Sequence, residues 1–152
     1  MILLGIDPGL HGAWGAIHDE HATYRVFPLI DGKVDYVQVH RELEEMTKGD
    51  FVKAVIEKVS AMPGQGVTSM FTFGKGAGIL IGLLIALRIP YLEVAPQTWK
   101  AKILRDTDKS KGAAIMHVKT QWPNLVLPTT KAGQEGVCDA LCMASYARSI
   151  YG

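Results

Sequence analysis

A chain of 152 residues is the usual size of one domain, and it reads as a single unit over residues 1–152. With 48% hydrophobic and 20% charged residues the composition is that of an ordinary soluble globular protein, and a formal net charge of +1 says nothing by itself about nucleic acid. The longest uncharged apolar run, Ala77 to Leu87, falls short of the ~18 residues that a bilayer span needs, so no membrane role is expected.

Ile2 to Ile6 is a short apolar run closed by Asp7-Pro8-Gly9, the pattern of a buried strand ending in a turn. The opening residues have no basic segment and meet a carboxylate too early for a signal peptide. Ala13–Ile17 and Ala22–Leu29 are two further strands, and the three together predict an antiparallel meander. Val37–Met46 is charged with helical period, and Val52–Val59 alternates as a strand. Residues 61–67, Ala-Met-Pro-Gly-Gln-Gly-Val, read as a flexible loop, and Ser69–Leu87 as a long apolar helix. Tyr91–Val94 is a strand, helices follow from Pro96 to about Leu104 and from Lys109 to Trp122, and Asn124–Gly133 is a Pro-containing loop. Glu135–Tyr151 is the last helix. A meander followed by alternating helix and strand predicts an α/β fold with a sheet of mixed direction, and neither repeats nor low-complexity tracts interrupt it.

Charge is unevenly spread. His18 to Glu57 holds nine acids against five bases, whereas Ala95 to Lys131 holds seven bases against Asp106 and Asp108. A basic stretch of this kind suits a face that meets a polyanion, although a solvated surface has the same composition. Cys138 and Cys142, the only cysteines, lie four apart on a predicted helix, poor geometry for a disulfide. A reduced, cytoplasmic protein is expected, with host cytoplasm or an organelle as variants.

Four acids carry the chemistry. Asp7 and Glu57 each end an apolar strand, where an unpaired charge is costly to bury. Two such carboxylates call for a cation, and oxygen-only ligands favour Mg²⁺ or Mn²⁺. Glu135 and Asp139 lie four apart on the last predicted helix and share a face, with Glu135 in its first turn. Taken one at a time, each acid reads more readily as a surface or helix-start carboxylate than as a functional one, and only jointly do they point to a site. Gly74-Lys75-Gly76 is not a phosphate-binding Walker loop, since the glycine spacing and the following Ser or Thr are missing. His18 and His21 read as turn residues, Trp14, Trp99 and Trp122 as packing, and His11 lies near Asp7 in sequence.

In these segments the chain resembles the RuvC family of Holliday junction resolvases, within the RNase H-like superfamily. The resemblance rests on Ile2-Leu3-Leu4-Gly5-Ile6-Asp7-Pro8-Gly9, Ile56-Glu57-Lys58-Val59, Val94-Ala95-Pro96-Gln97-Thr98-Trp99-Lys100, Asp108-Lys109 and Glu135-Gly136-Val137-Cys138-Asp139-Ala140-Leu141. These motifs run in order through most of the chain.

The resemblance implies an RNase H-like mixed five-stranded sheet flanked by helices. It also implies a magnesium-dependent endonuclease that nicks four-way DNA junctions as a homodimer, with two Mg²⁺ ions per active site, for which Mn²⁺ can substitute. Asp7 takes the place of the metal-bridging aspartate, and Glu57 and Asp139 match two further family acids. The family's fourth acid comes three or four residues before Asp139; position 136 is Gly, so Glu135 takes that role with a longer side chain. Lys100 matches a lysine near the family's active site, and Lys109 with its neighbour Lys111 is expected to contact phosphates. Met62 to Gly76 corresponds to the junction-probing segment. There Phe71 and Phe73 serve either to stack on unpaired bases or to pack the core, and Ser69 and Lys75 to meet the DNA backbone. Ser69–Leu87 is the expected dimer helix.

Competing readings keep the fold but change the task. A sugar-kinase or actin-like ATPase needs a second domain that 152 residues do not supply. A non-catalytic junction-binding protein has no need of four carboxylates. A nuclease for flaps, forks or RNA–DNA hybrids uses the same chemistry, and no helicase-docking segment is evident.

Overall fold

The period of two along β1 (Ile2–Asp7) divides the protein into two layers. Ile2, Leu4 and Ile6 point into one core, while Leu3, Gly5 and Asp7 face the other. The computed structural model describes all of residues 1–152. β2 (Ala13–His18) and β3 (His21–Val26) continue antiparallel from β1, with Gly5 paired to Gly15 and Ile6 to Trp14. On the other side of β1 lie β6 (Val52–Glu57) and β7 (Tyr91–Val94), both parallel. The sheet order is therefore β3-β2-β1-β6-β7, the mixed five-stranded sheet expected.

One face of the sheet is covered by α1 (Tyr36–Thr47) and α2 (Val67–Ala86), which deliver Val39, Leu43, Leu80 and Leu84 to the core beneath them. The other face carries α3 (Pro96–Ile103), α4 (Lys111–Gln121) and α5 (Lys131–Tyr151). Residues Gly136 to Ala144 of α5 are all buried, because this helix lies flat on β1 and β2 under α3 and α4. It approaches so closely that a Cβ on Gly5 would overlap the backbone of Ala140 and Ala144, and one on Gly15 would press on Leu141. Gly is required at both positions by this contact rather than by any turn.

Several boundaries differ from the sequence reading. The strand predicted over Ala22–Leu29 ends at Val26, since Pro28 cannot donate to a ladder. Leu29–Ile30 (β4) and Lys33–Val34 (β5) instead form a small hairpin, with Asp31 and Gly32 at φ +50° and +74° in its turn. Helix α4 begins at Lys111, capped by Ser110, because Lys109 has a left-handed φ of +57°. Helix α5 begins at Lys131, where the Thr130 side chain accepts a hydrogen bond from the Gly133 N–H. Glu135 therefore lies in the second turn, not the first. Helix α2 also runs further than its uncharged stretch: 20 residues of mean hydropathy 1.6 are long and apolar enough to cross a membrane by length and composition. Its buried stripe of Gly76, Ala77, Leu80 and Leu84 packs on the protein's own sheet.

Candidate functional site

Parity puts the acids together. Asp7 follows Leu3 and Gly5 on the α5 side of β1, and Glu57 follows Val55 on the same side of the neighbouring β6. Both lie at the carboxyl ends of parallel strands, and α5 passes over them with Asp139 facing the sheet at 3% exposure. Each acid is fixed by a different partner. Oδ1 of Asp7 accepts from the backbone N–H of Gly9 at 3.1 Å. Oε2 of Glu57 accepts from the indole N–H of Trp99 at 2.9 Å, and Trp99 is wholly buried. Oδ2 of Asp139 is ion-paired with Lys111, whereas its Oδ1 is buried without any hydrogen-bond partner.

The electrostatics follow from crowding. Burial pushes the Asp7 carboxyl up from 3.8 to about 7; the Gly9 N–H opposes this, and the Asp139 and Glu57 charges add to it. Burial also holds Glu57 above its ordinary value, against the Trp99 hydrogen bond and the charges of Lys100 and Lys111. Lys111 loses hydration, which would lower its pKa, but the bond to Asp139 and the charges of Asp7 and Glu57 outweigh that and raise it. Asp7, Glu57, Asp139 and Lys111 are thus one electrostatic unit.

No three His, Cys, Asp or Glu side chains are grouped closely enough, as they stand, to hold a metal ion. The residues nonetheless fit a hard divalent cation: the donors are all oxygens, and the orphaned Oδ1 of Asp139 is a buried acceptor with nothing to accept from. Asp7, Glu57 and Asp139 are the residues that would hold it. Glu135 is half-buried one turn before Asp139 and makes no side-chain hydrogen bond or ion pair. The neighbouring position cannot substitute for it, because a Cβ on Gly136 would overlap the His11 carbonyl. The Gly9–Gly12 turn after Asp7 is folded directly onto α5 at that point, with the Gly12 N–H donating to the Gly9 carbonyl at 2.9 Å.

The basic residues divide. Lys100 lies near Glu57, 5.3 Å from the Trp99 ring centroid. Lys111, expected to face DNA phosphates, instead has its ammonium on Asp139. Lys109 is exposed, its ammonium 3.4 Å from the Thr107 carbonyl. Ser69, Phe71, Phe73 and Lys75 occupy the first turns of α2, on the other layer of the fold, with no hydrogen bond or ion pair to the acids. Phe71 is 73% exposed, which removes it from the core. Phe73 is half-buried. Two surface cavities, one lined by Arg25, Arg41 and Glu42 and one by Tyr24 and Leu125, contain none of Asp7, Glu57, Glu135 and Asp139.

Two roles escaped the sequence reading. Trp99, read as packing, also orients Glu57, and its signal was faint: an indole three residues into a helix that follows a strand. The pairing of Lys111 with Asp139 joins residues 28 apart and has no local signature.

No family model and no curated protein matches the sequence. Among solved structures, the chain is similar to Thermus thermophilus RuvC in complex with Holliday junction substrate, with a TM-score of 0.68 and 16% identity over 98% of this chain and 96% of that one. A second Thermus thermophilus RuvC structure superposes with a TM-score of 0.64 over the same shares at 16% identity. The near-complete superposition shows that the chain shares the fold of these RuvC structures, a mixed five-stranded sheet flanked by helices.

Proposed function

We propose that this protein is a metal-dependent endonuclease that resolves four-way DNA junctions, acting as a homodimer. The observation that carries the reading is the electrostatic coupling of Asp7 and Glu57 to Asp139, whose Oδ1 is buried and unpartnered, within a fold like that of a structure solved with a Holliday junction. Asp7, Glu57 and Asp139, with Glu135, would hold divalent ions, which would supply activation of the attacking water and charge stabilisation for the leaving oxygen. The chain's own contribution is positional. Gly9 fixes the Asp7 carboxylate and Trp99 that of Glu57, so neither acid must reorganise when charge arrives. Lys100 supplies a cation beside Glu57 for the scissile phosphate. Glu135 is the fourth acid of the set. Lys109, with Ser69, Lys75 and the exposed Phe71, offers phosphate and base contacts beyond the acids, Phe73 being the less accessible of the two rings.

Dimerisation is supported by α2. Phe71, Gly74, Gly78, Gly82 and Ile85 leave an exposed apolar stripe on it, and nothing lies within 4 Å of where a side chain would begin at the three glycines. Two copies packed there would present two equivalent sites to opposed strands of a junction.

Cleavage of matched four-way, flap, fork and linear duplex substrates with Mg²⁺ tests the reading. Paired nicks confined to the junction are expected, and Asp7→Asn or Glu57→Gln should abolish them while junction binding survives. Near wild-type cutting by either variant would remove the acids from catalysis. Preference for flaps or forks would keep the chemistry and change the substrate.

A further inference from the structure

Lys111 holds an unusual place for a lysine. It is the first residue of α4, at the positive end of the helix dipole, where a cation is disfavoured. Its position is explained by what its ammonium touches: Asp139, with Asp7 and Glu57 close enough to perturb it. It is the only basic residue ion-paired with any of the three acids. The side chains of the pair are 47% and 5% exposed, so the lysine stem lies at the surface while its tip reaches a buried carboxylate. The anchor is firm, since Ser110 caps α4 through the Ala113 N–H at 3.2 Å. Retraction of the ammonium therefore needs only side-chain rotation, not movement of the helix.

We infer that Lys111 is a resident counter-cation of the carboxylate cluster, which a divalent ion displaces from Asp139, so that metal loading frees this lysine for a DNA phosphate. This rests on the metal-dependent reading above. A divalent ion and an ammonium cannot share Oδ2, and repulsion drives the lysine outward toward the surface on which DNA would lie. The metal-free protein is thereby spared an uncompensated cluster of buried acids. By linkage, DNA that captures the freed lysine tightens metal binding in turn.

Mn²⁺ binding to the full protein without DNA, followed by electron paramagnetic resonance, tests the displacement. Lys111→Met should bind Mn²⁺ roughly three- to tenfold more tightly, the range expected for losing a half-exposed ion-pair competitor. The gain should persist at about 1 M salt, where the Debye length is about 3 Å and remote charges are screened. Lys109→Met, which removes the same charge two residues away, should change affinity less than about twofold. Lys111→Gln gives the same reading should the methionine variant not fold. An unchanged or weaker affinity, or an equal gain in Lys109→Met, overturns the inference. Asp139→Asn separates the two levels: if it leaves Mn²⁺ binding intact, the metal site itself is misplaced and both readings fail. The DNA half is tested by junction affinity, where Lys111→Met should lose more in Ca²⁺ than in EDTA. An equal loss overturns the coupling.

Discussion

Trp99 donates its indole N–H to Glu57 at 2.9 Å, tying α3 to the end of β6. The ring is fully buried between the sheet and α5, so the bond forms where water cannot replace it. Trp99→Phe keeps most of the apolar contact but removes the donor. Glu57 is then left short of a hydrogen bond, and the strongest influence lowering its pKa disappears. The variant should lose about 1–3 kcal/mol in urea unfolding and bind Mn²⁺ more weakly at neutral pH than at pH 8.5. Unaltered metal affinity at neutral pH would make the bond incidental.

Asp7 gives a pH signature. Its folded pKa of about 7 lies above the unfolded value of 3.8, so between these values the folded protein keeps a proton that the unfolded chain has released. Stability of the metal-free protein therefore falls as pH rises from about 4 to 7, by something on the order of 2–4 kcal/mol from this group. Asp7→Asn cannot ionise and should escape that loss, becoming more stable than wild type at pH 8 in EDTA. Melting curves of both proteins at pH 4.5 and pH 8 measure the difference, and parallel pH dependences would refute it. Added Mg²⁺ should restore the wild type at pH 8 and leave the variant unmoved.

Gly136 marks where an acid cannot be added. Gly136→Asp would install a carboxylate one turn before Asp139, yet its Cβ meets the His11 carbonyl and forces the turn after Asp7 away. A loss of roughly 1–3 kcal/mol, with weaker rather than stronger Mn²⁺ binding, is expected. A variant with tighter metal binding and full stability would show that the turn yields freely. Glu135→Gln, at a half-buried position with no partner, should cost far less metal affinity than Asp139→Asn.

The proposed dimer stripe separates from the protein's own core at Ile85. Ile85 is 60% exposed, whereas Leu83 packs against the core under the sheet and reports on folding instead. Ile85→Lys should sediment as a folded monomer with an unchanged circular dichroism spectrum. It should also make single nicks in place of paired ones. Wild-type protein that sediments as a monomer, free and on a junction, would remove the stripe from the assembly.

How much of this was readable in the chain follows from where the signals lie. β1 and β6 announced themselves because each is an apolar run ending in an acid, but that Asp7 and Glu57 share one face depends on the parallel register of the two strands. Helix ends were less legible. The Thr130 cap reads from sequence like any loop threonine, and Glu135 moved by a turn once α5 was seen to begin at Lys131. The long-range pairs, Trp99 with Glu57 and Lys111 with Asp139, depend on how α3 and α4 are laid over the sheet. No spacing along the chain encodes that. The exposure of Phe71 was equally hidden, since an aromatic in an apolar helix fits either face.

Gly5 and Gly15 sit opposite one another across β1 and β2, and the backbone of α5 beds into the bare slot between them. That slot sets the gap between the strand that carries Asp7 and the helix that carries Asp139, although neither glycine touches either acid. A methyl group at position 5 would act as a shim beneath a lever, tipping Asp139 off its neighbours while every acid remained in the sequence. An intact set of acids is no guarantee of a working centre. The spacing of strand and helix is set by the bare Cα positions of two residues outside the acid cluster.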